Sequence, residues 1–151
     1  MCRETIAPEN LCCFGRLESK EIMLRVNKMD HCISLLSANP THSFLIYSSF
    51  DNIYYQLYEE MDKRGLRAEK LMNHLPTFRK TIKNFQDQTT KILFVSQADV
   101  LRGLSFPMIT HLIFYHEPSF YEWKELLIQL LQRAGRTQPL NILHLHSEIQ
   151  V

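Results

Sequence analysis

The stretch KILFVS, residues 91–96, decides the fold, because four apolar residues stand together without the polar alternation of a half-exposed strand. Two similar runs are SFLIYSS at 43–49 and HLIFY at 111–115. Runs of this kind are typical of parallel strands buried on both faces of a sheet. Segments with apolar residues at helical spacing stand between them, so strands and helices alternate along the chain.

This alternation predicts a single α/β domain, a three-layer sandwich with a mostly parallel sheet of about five strands. We expect residues 1–18 to form an irregular lead-in and residues 19–151 to form the domain. The expected strands lie near residues 44–48, 67–71, 91–95, 111–115 and 140–145.

Helix boundaries follow from capping residues and apolar periodicity. The first helix is expected to begin at Ser19 as N-cap and to stop before Asn39-Pro40. Asp51 is expected to cap the second helix, which ends at Gly65 in a left-handed conformation. Further helices are expected at residues 76–85 and 121–133, with a short helix or turn at 99–104.

Composition restricts the class of protein. The chain has 151 residues, 45% hydrophobic content and a net charge of +1, which are typical of a folded domain without a global basic field. No apolar run approaches the roughly 18 to 20 residues that a membrane span requires. The four cysteines lie in the first third, and adjacent Cys12 and Cys13 make a poor disulfide framework, which indicates a reducing, intracellular compartment.

Polar residues and glycines concentrate where the predicted strands end. The stretch QLLQRAGR, residues 129–136, places Arg133 and Arg136 one turn apart, so two permanently charged forks can reach one phosphate group. Two other strand ends are LIYSSF at 45–50 and KLMNH at 70–74. The strand at 92–96 is followed by GLSF at 103–106, where a glycine permits close approach of the backbone to a ligand.

In this order the segments resemble motifs IV, V and VI of superfamily 2 helicases, in the second RecA-like domain of the Snf-type branch. The resemblance covers roughly residues 19 to 146 and includes a helix with Arg79, Ile82 and Phe85. It implies that Arg133 and Arg136 are catalytic and bind ATP together with Gln129 and Gly103. It also implies nucleic-acid contacts, which would be made by Ser48, Ser49, Asn73, Ser96 and Gly103.

The sequence departs from the family pattern in three places. Asn73 stands where the family usually has glycine, and the glycine pair common ahead of Gly103 is missing. Motif VI fits two registers, and the DEAD-box register would place its final arginine on Pro139. The Snf-type register is preferred because it retains Arg133 and Arg136.

The chain contains neither a Gly-x-x-x-x-Gly-Lys phosphate loop nor an acidic box for magnesium. The family places both in the first RecA-like domain. The resemblance therefore implies that ATP and Mg²⁺ bind only when that domain is supplied in cis or in trans, and that the chain alone does not hydrolyse ATP. The resemblance also implies a nucleic-acid partner, DNA in preference to RNA, and it implies no membrane partner.

The start of the chain has a second, weaker resemblance. Cys2-Arg3-Glu4-Thr5-Ile6 looks like the end of a RING finger, in which Cys2 would be a zinc ligand if a RING preceded it. Rad5-like helicases and those of large DNA viruses carry such a RING, which suggests a nuclear or viral location. An arbitrary start of the chain explains the same residues.

Two other functional classes remain open. One is a degenerate helicase half that binds nucleic acid or protein without ATP. The other is a complete small α/β enzyme, but Ser48 and Ser96 lack a suitably spaced histidine and acid to act as nucleophiles. A metal site of His116, His144 and His146 is a further alternative, and ordinary structural histidines are expected instead.

Overall fold

The computed structural model describes residues 17–24, 28–72, 75–102, 104, 106–131 and 140–147. In these residues six strands form one sheet in the order β1-β6-β5-β2-β4-β3, and all five pairings are parallel. The strands are β1 Leu17–Leu24, β2 Phe44–Tyr47, β3 Ala68–Lys70, β4 Ile92–Val95, β5 His111–Phe114 and β6 Leu140–Ser147. The α/β fold class predicted from the sequence is therefore confirmed.

Within the described part of the chain, four α-helices connect these strands, together with a short 3₁₀ turn at Ala98–Leu101. The helices are α1 Lys28–Ala38, α2 Asp51–Lys63, α3 Leu75–Gln86 and α4 Phe120–Leu131. Helices α1 and α2 cover one face of the sheet, and α3 and α4 cover the other. This is the expected three-layer sandwich.

Alternation along the strands divides the core between the two faces. Leu45 and Tyr47 of β2 pack toward α3 and α4, whereas Phe44 and Ile46 pack toward α1 and α2. All four are 2% exposed or less, as are the equivalent central residues Leu93 and Phe94 of β4. The absence of polar alternation in these strands thus reflects burial on both sides of the sheet.

The first predicted helix is partly wrong. Residues 17–24, which include the proposed cap Ser19, form strand β1, and α1 begins only at Lys28. Strand β1 pairs with β6 from Leu17↔Leu140 to Leu24↔Ser147, so its backbone bonds go to residues far away in the sequence. That long-range pairing overrides the helical spacing of the apolar residues and gives the sheet its sixth strand.

The ends of α2 agree only partly with expectation. Gly65 has φ 72°, which confirms the left-handed position after the helix. Asp51 is the first helical residue and not the N-cap. The N-cap is Phe50, which makes no side-chain capping bond.

Candidate functional site

The three predicted serines lie where the parallel strands end, on the side of the sheet that we call the carboxyl edge; the opposite side, where the strands begin, is the amino edge. Ser48 and Ser49 follow β2 directly, and Ser96 follows β4, the neighbouring strand. The Ser48 N–H donates to the carbonyl oxygen of Val95 at 3.3 Å, which fixes the two strand ends side by side. Ligands of open parallel sheets bind at this edge, so these residues occupy the expected position for a site.

Ser48 itself is fully buried. Its hydroxyl oxygen lies 2.7 Å from Nδ1 of His116 and accepts a hydrogen bond from the Phe50 N–H at 3.2 Å. Burial lowers the pKa of His116, and repulsion from the Lys28 charge lowers it further, so the ring is neutral near pH 7. The sequence did not predict this pair, because Ser48 and His116 are 68 residues apart and no local pattern connects them.

The pair does not make Ser48 a nucleophile. A catalytic serine needs an accessible hydroxyl and a base that is oriented by a third group. Ser48 has no exposed surface, and no carboxylate of a described residue bonds to His116. The contact is therefore a positioning interaction between two strand ends, and it brings to Ser48 a histidine that the sequence spacing did not predict.

Ser49 and Phe50 are exposed, and Phe50 keeps 56% of its surface accessible. The Phe50 ring meets the His116 ring edge-on, with centroids 4.9 Å apart. An exposed apolar ring is thus anchored at the same edge as the serines.

Ser96 is tied to an acidic group. The Asp51 carboxylate accepts from Lys70 Nζ at 2.7 Å, and its pKa is lowered first by that hydrogen bond and then by one from Ser96. Lys70 also lies 5.8 Å from the centroid of the Tyr55 ring. The Ser96 hydroxyl thus belongs to an ion-pair network on the β3 side of the edge.

Lys28 stands on the other side of the edge, at the start of α1. Its Nζ donates to the carbonyl oxygen of Tyr115 at 2.8 Å and lies 5.2 Å from the centroid of the Tyr115 ring. Burial lowers its pKa. A cation is therefore held next to His116 by backbone and ring contacts.

Gln129 lies half-buried near the end of α4. Its Nε2 donates to Glu125 Oε1 at 3.4 Å, and the same oxygen accepts from Arg102 Nε at 2.6 Å. Arg102 also donates to the Tyr121 hydroxyl at 3.2 Å. Since Arg102 directly precedes Gly103, this network connects the loop of proposed motif V to the helix that leads into proposed motif VI.

Five residues of the predicted site lie outside the described part of the chain. They are Cys2, Asn73, Gly103, Arg133 and Arg136. Their proposed roles stay predictions. Phe85, from the helix that resembles the family pattern, is buried in the core, Ile82 packs against that core, and Arg79 is exposed.

Metal ligands do not cluster among the described residues, where no group of three or more His, Cys, Asp or Glu side chains is placed to hold an ion. His144 is buried and stacks on Phe114 with centroids 4.7 Å apart. Within the same part of the chain, no helix has the length and apolar character needed to cross a bilayer.

Residues 27–138 match the family described as helicase conserved C-terminal domain. This match covers well over half of the 151 residues, so the chain belongs to that family. No curated protein sequence shows significant similarity to the chain.

Solved structures of helicase-related domains have the same fold. The C-terminal part of the Fun30 ATPase domain aligns with a TM-score of 0.69 and 18% identity, over 80% of this chain and 41% of the other. The C-terminal domain of the DEAD-box protein Dbp5 aligns at 0.68 and 18%, over 87% of this chain and 78% of the other. S. cerevisiae Dbp5 bound to RNA and ADP BeF3 aligns at 0.68 and 18%, over 85% and 35%.

At this level of identity the structural matches establish the fold alone. The chain spans less than half of the Fun30 chain and of the RNA-bound Dbp5 chain. Its own activity, substrate and partners are therefore matters for proposal.

Proposed function

We propose that the chain is the C-terminal half of a nucleic-acid-dependent ATPase, a helicase or DNA translocase. The observation that carries the proposal is the family match over residues 27–138, which includes all proposed site residues except Cys2. The described members Ser48, Ser49 and Ser96 support it, because they meet at the ligand-binding edge of the sheet.

In this proposal Arg133 and Arg136 act on ATP. Planar guanidinium groups would stabilise the charge that develops on the transferring phosphoryl group, assisted by Gln129 and Gly103. The network from Arg102 through Glu125 to Gln129 supports this assignment, because it joins Arg102, the residue before Gly103, to the helix α4 that precedes both arginines in the sequence.

ATP and Mg²⁺ would be held mainly by a first RecA-like domain, in cis or in trans. The residues of this chain fit only a contributing role, since Gln129 is a neutral amide and the sequence has no phosphate loop. When bound, ATP supplies the phosphoryl group whose transfer drives movement. This chain would supply two cations and orient them.

The nucleic-acid strand would lie along the carboxyl edge, near Ser49, Asn73, Ser96 and Gly103. Ser48 would contribute through its strand end, because its hydroxyl is engaged with His116. We favour DNA over RNA as the substrate, on the Snf-type spacing of Gln129, Arg133 and Arg136. The TM-scores to Fun30 and Dbp5 are almost equal, so fold similarity supports neither branch over the other.

The same spacing supports assignment to the Snf-type branch, and the resemblance of residues 2–6 to the end of a RING finger supports its Rad5-like or viral members. We also propose that Cys2 is the last zinc ligand of a RING finger and that the protein acts in the nucleus or in a viral factory or virion. The unpaired, fully buried thiol of Cys32 is consistent with a reducing compartment.

The test of the ATPase proposal is a fusion to a first RecA-like domain from a related helicase. The fusion should hydrolyse ATP faster when nucleic acid is added. Arg136→Ala should then lower turnover at least about 10³-fold, on the order of 4 kcal/mol of transition-state stabilisation. Arg136→Lys should restore little, because a point charge cannot reproduce the bidentate fork.

Arg64→Ala is the matched control, since Arg64 is an exposed arginine at the end of α2, away from the carboxyl edge. It should leave turnover unchanged. An active fusion whose turnover survives both changes at Arg136 would remove that residue from the mechanism.

The second candidate is a binding module that works without ATP, and the absence of a phosphate loop in residues 1–151 favours it. The chain alone is expected to bind nucleic acid weakly and with strong salt dependence. A fusion with no ATPase activity, together with such binding, would favour the module over the motor.

A further inference from the structure

The strongest unassigned feature is a group of four side chains at the carboxyl edge, which we call the His116 cluster. It consists of Lys28, Ser48, Phe50 and His116. The cluster joins the ends of β2 and β5 to the start of α1. It combines an exposed ring, a cation and an imidazole within one small region. Phe50 ends the stretch that resembles motif IV, whereas Lys28 and His116 belong to none of the motif segments.

The hydrogen bonds of Ser48 favour one tautomer of His116. The buried Ser48 oxygen already accepts from the Phe50 N–H. Among the described residues, the only acceptor for the Ser48 hydroxyl proton is Nδ1 of His116, at 2.7 Å. A hydroxyl that donates to Nδ1 places the proton of the neutral imidazole on Nε2.

The Nε2–H is free to serve a ligand. Nε2 of His116 does not belong to the buried side-chain nitrogens that lack a hydrogen-bond partner. In the described part of the chain, those nitrogens are in His31, His42 and Trp123. No described residue accepts from it, and the ring is half-buried, so the N–H reaches the surface. Ser48 thus presents the ring as a neutral, oriented hydrogen-bond donor.

The surroundings of this donor suit a nucleotide. Lys28 is close enough for its charge to influence His116, which favours an anionic oxygen as the acceptor. Phe50 contacts the His116 ring by its edge and has 56% of its surface accessible, so a base can stack on it. A donor beside a cation and an apolar ring matches the phosphate and base of one nucleotide.

We propose that the His116 cluster is a subsite for one nucleotide of a single nucleic-acid strand, in which Phe50 stacks on the base and His116 Nε2–H donates to a phosphate oxygen. The inference rests on the proposed nucleic-acid function and deepens it. The subsite lies beside exposed Ser49, so a strand bound there continues into the edge assigned to motif IV.

The first test measures the tautomer in the free protein. The ¹⁵N chemical shifts of His116 should show a proton on Nε2 and none on Nδ1 at pH 7.5. Ser48→Ala should remove that preference, because the hydroxyl donor is lost. A proton on Nδ1 in the unmodified chain would overturn the arrangement.

The second test titrates the chain with a fluorescent single-stranded oligonucleotide at low salt. Phe50→Leu keeps an apolar side chain but removes the ring, and should weaken binding about tenfold. His116→Ala should weaken it about tenfold as well, through loss of a hydrogen bond to a charged group. Tyr58→Leu removes another exposed ring, one that packs on Tyr54, and should leave the affinity unchanged.

The outcomes separate the two claims. Oligonucleotide binding that survives Phe50→Leu and His116→Ala would overturn the subsite and leave the proposed function intact, as would equal weakening by Tyr58→Leu. No binding by the unmodified chain, even at low salt, would contradict both. Phe50 is exposed, so its variant remains informative if His116→Ala lowers the stability.

Discussion

The two edges of the sheet use the same chemistry for different purposes. At each edge a histidine Nδ1 faces a hydroxyl, His111 with Thr110 at 2.8 Å and His116 with Ser48 at 2.7 Å. At the amino edge, where the strands begin, the Thr110 hydroxyl donates to the carbonyl oxygen of Ser43 at 3.0 Å, so we expect Nδ1 of His111 to donate to the Thr110 oxygen. We therefore predict opposite tautomers for the two rings.

This difference follows from what the hydroxyls contact. The Thr110 oxygen also accepts from the Ser43 N–H at 3.1 Å, so it connects the chain entering β2 to the chain entering β5. Ser43 in turn donates its hydroxyl proton to Gln88 at 2.5 Å. At the amino edge the hydroxyl of Thr110 bonds to backbone groups of Ser43. At the carboxyl edge the His116 ring, the exposed Phe50 ring and the Lys28 cation remain available to a ligand. Neighbouring acceptors, and not residue type, therefore separate the structural amino edge from the carboxyl edge, where we propose binding.

The largest effect that would test this comparison is expected at the amino edge. Thr110→Val removes the hydroxyl and leaves the buried Ser43 N–H without its partner, which should lower the free energy of unfolding by about 1–3 kcal/mol. Urea denaturation monitored by circular dichroism measures this.

Thr110→Ser is the matched control, because it keeps the hydroxyl and should retain most of the stability. Neither variant should change oligonucleotide affinity. A Thr110→Val protein with normal stability but impaired binding would reverse the roles assigned to the two edges.

A change of pH should have an intermediate effect on the free energy of unfolding. Burial, and then repulsion from His42 at a ring distance of 4.8 Å, lowers the pKa of His111 to about 4, against an ordinary value of 6.5. The unfolded chain therefore binds this proton more readily. The resulting stability is fully present above about pH 6.5 and is lost as the pH falls toward 4. Because the ring is only half-buried, we expect about 1 kcal/mol after discounting for solvent screening.

Urea denaturation at a series of pH values between 4 and 7 measures this loss. His116 should contribute in the same direction, since its pKa is also lowered. His111→Gln should flatten the His111 part of the curve and leave the His116 part. A pH dependence of unchanged size in His111→Gln would show that the amino-edge ring is not its source.

The smallest effect is expected from Asp51→Asn at the carboxyl edge. The Asp51 side chain is 61% exposed, so loss of its 2.7 Å pair with Lys70 should lower the unfolding free energy by only about 0.5 kcal/mol. Removing a negative charge beside the binding edge should also strengthen oligonucleotide binding slightly at low salt. A loss of stability similar to that of Thr110→Val would contradict the division between the edges.

Local sequence was sufficient for most elements. The central strands β2, β4 and β5 were predicted within a residue or two, because each is an uninterrupted apolar run between turn signals. The left-handed Gly65 was also predictable, since a basic last turn followed by glycine is a local stop signal. The gathering of Ser48, Ser49 and Ser96 followed from the parallel sheet alone.

Strand β1 shows where local reasoning failed. Its apolar residues continue the helical spacing of α1, so periodicity merged the two elements into one helix. The partner of β1 is β6, which lies at the other end of the described chain. Only pairing across that separation shows which backbone groups are bonded, and no window of neighbouring residues contains this information.

The sequence by itself determined the alternation of strands and helices, the order of the segments that resemble the family motifs, and the end of the sheet at which Ser48, Ser49 and Ser96 lie. These properties depend on side-chain periodicity and on glycine, which act over a few residues. The tertiary structure alone decided the pairing of β1 with β6, the contact of Ser48 with His116 and the link from Arg102 to Glu125. Those contacts depend on strand order, register and the packing of the helices, which fix the neighbours of each strand end and therefore the partners available to each side chain.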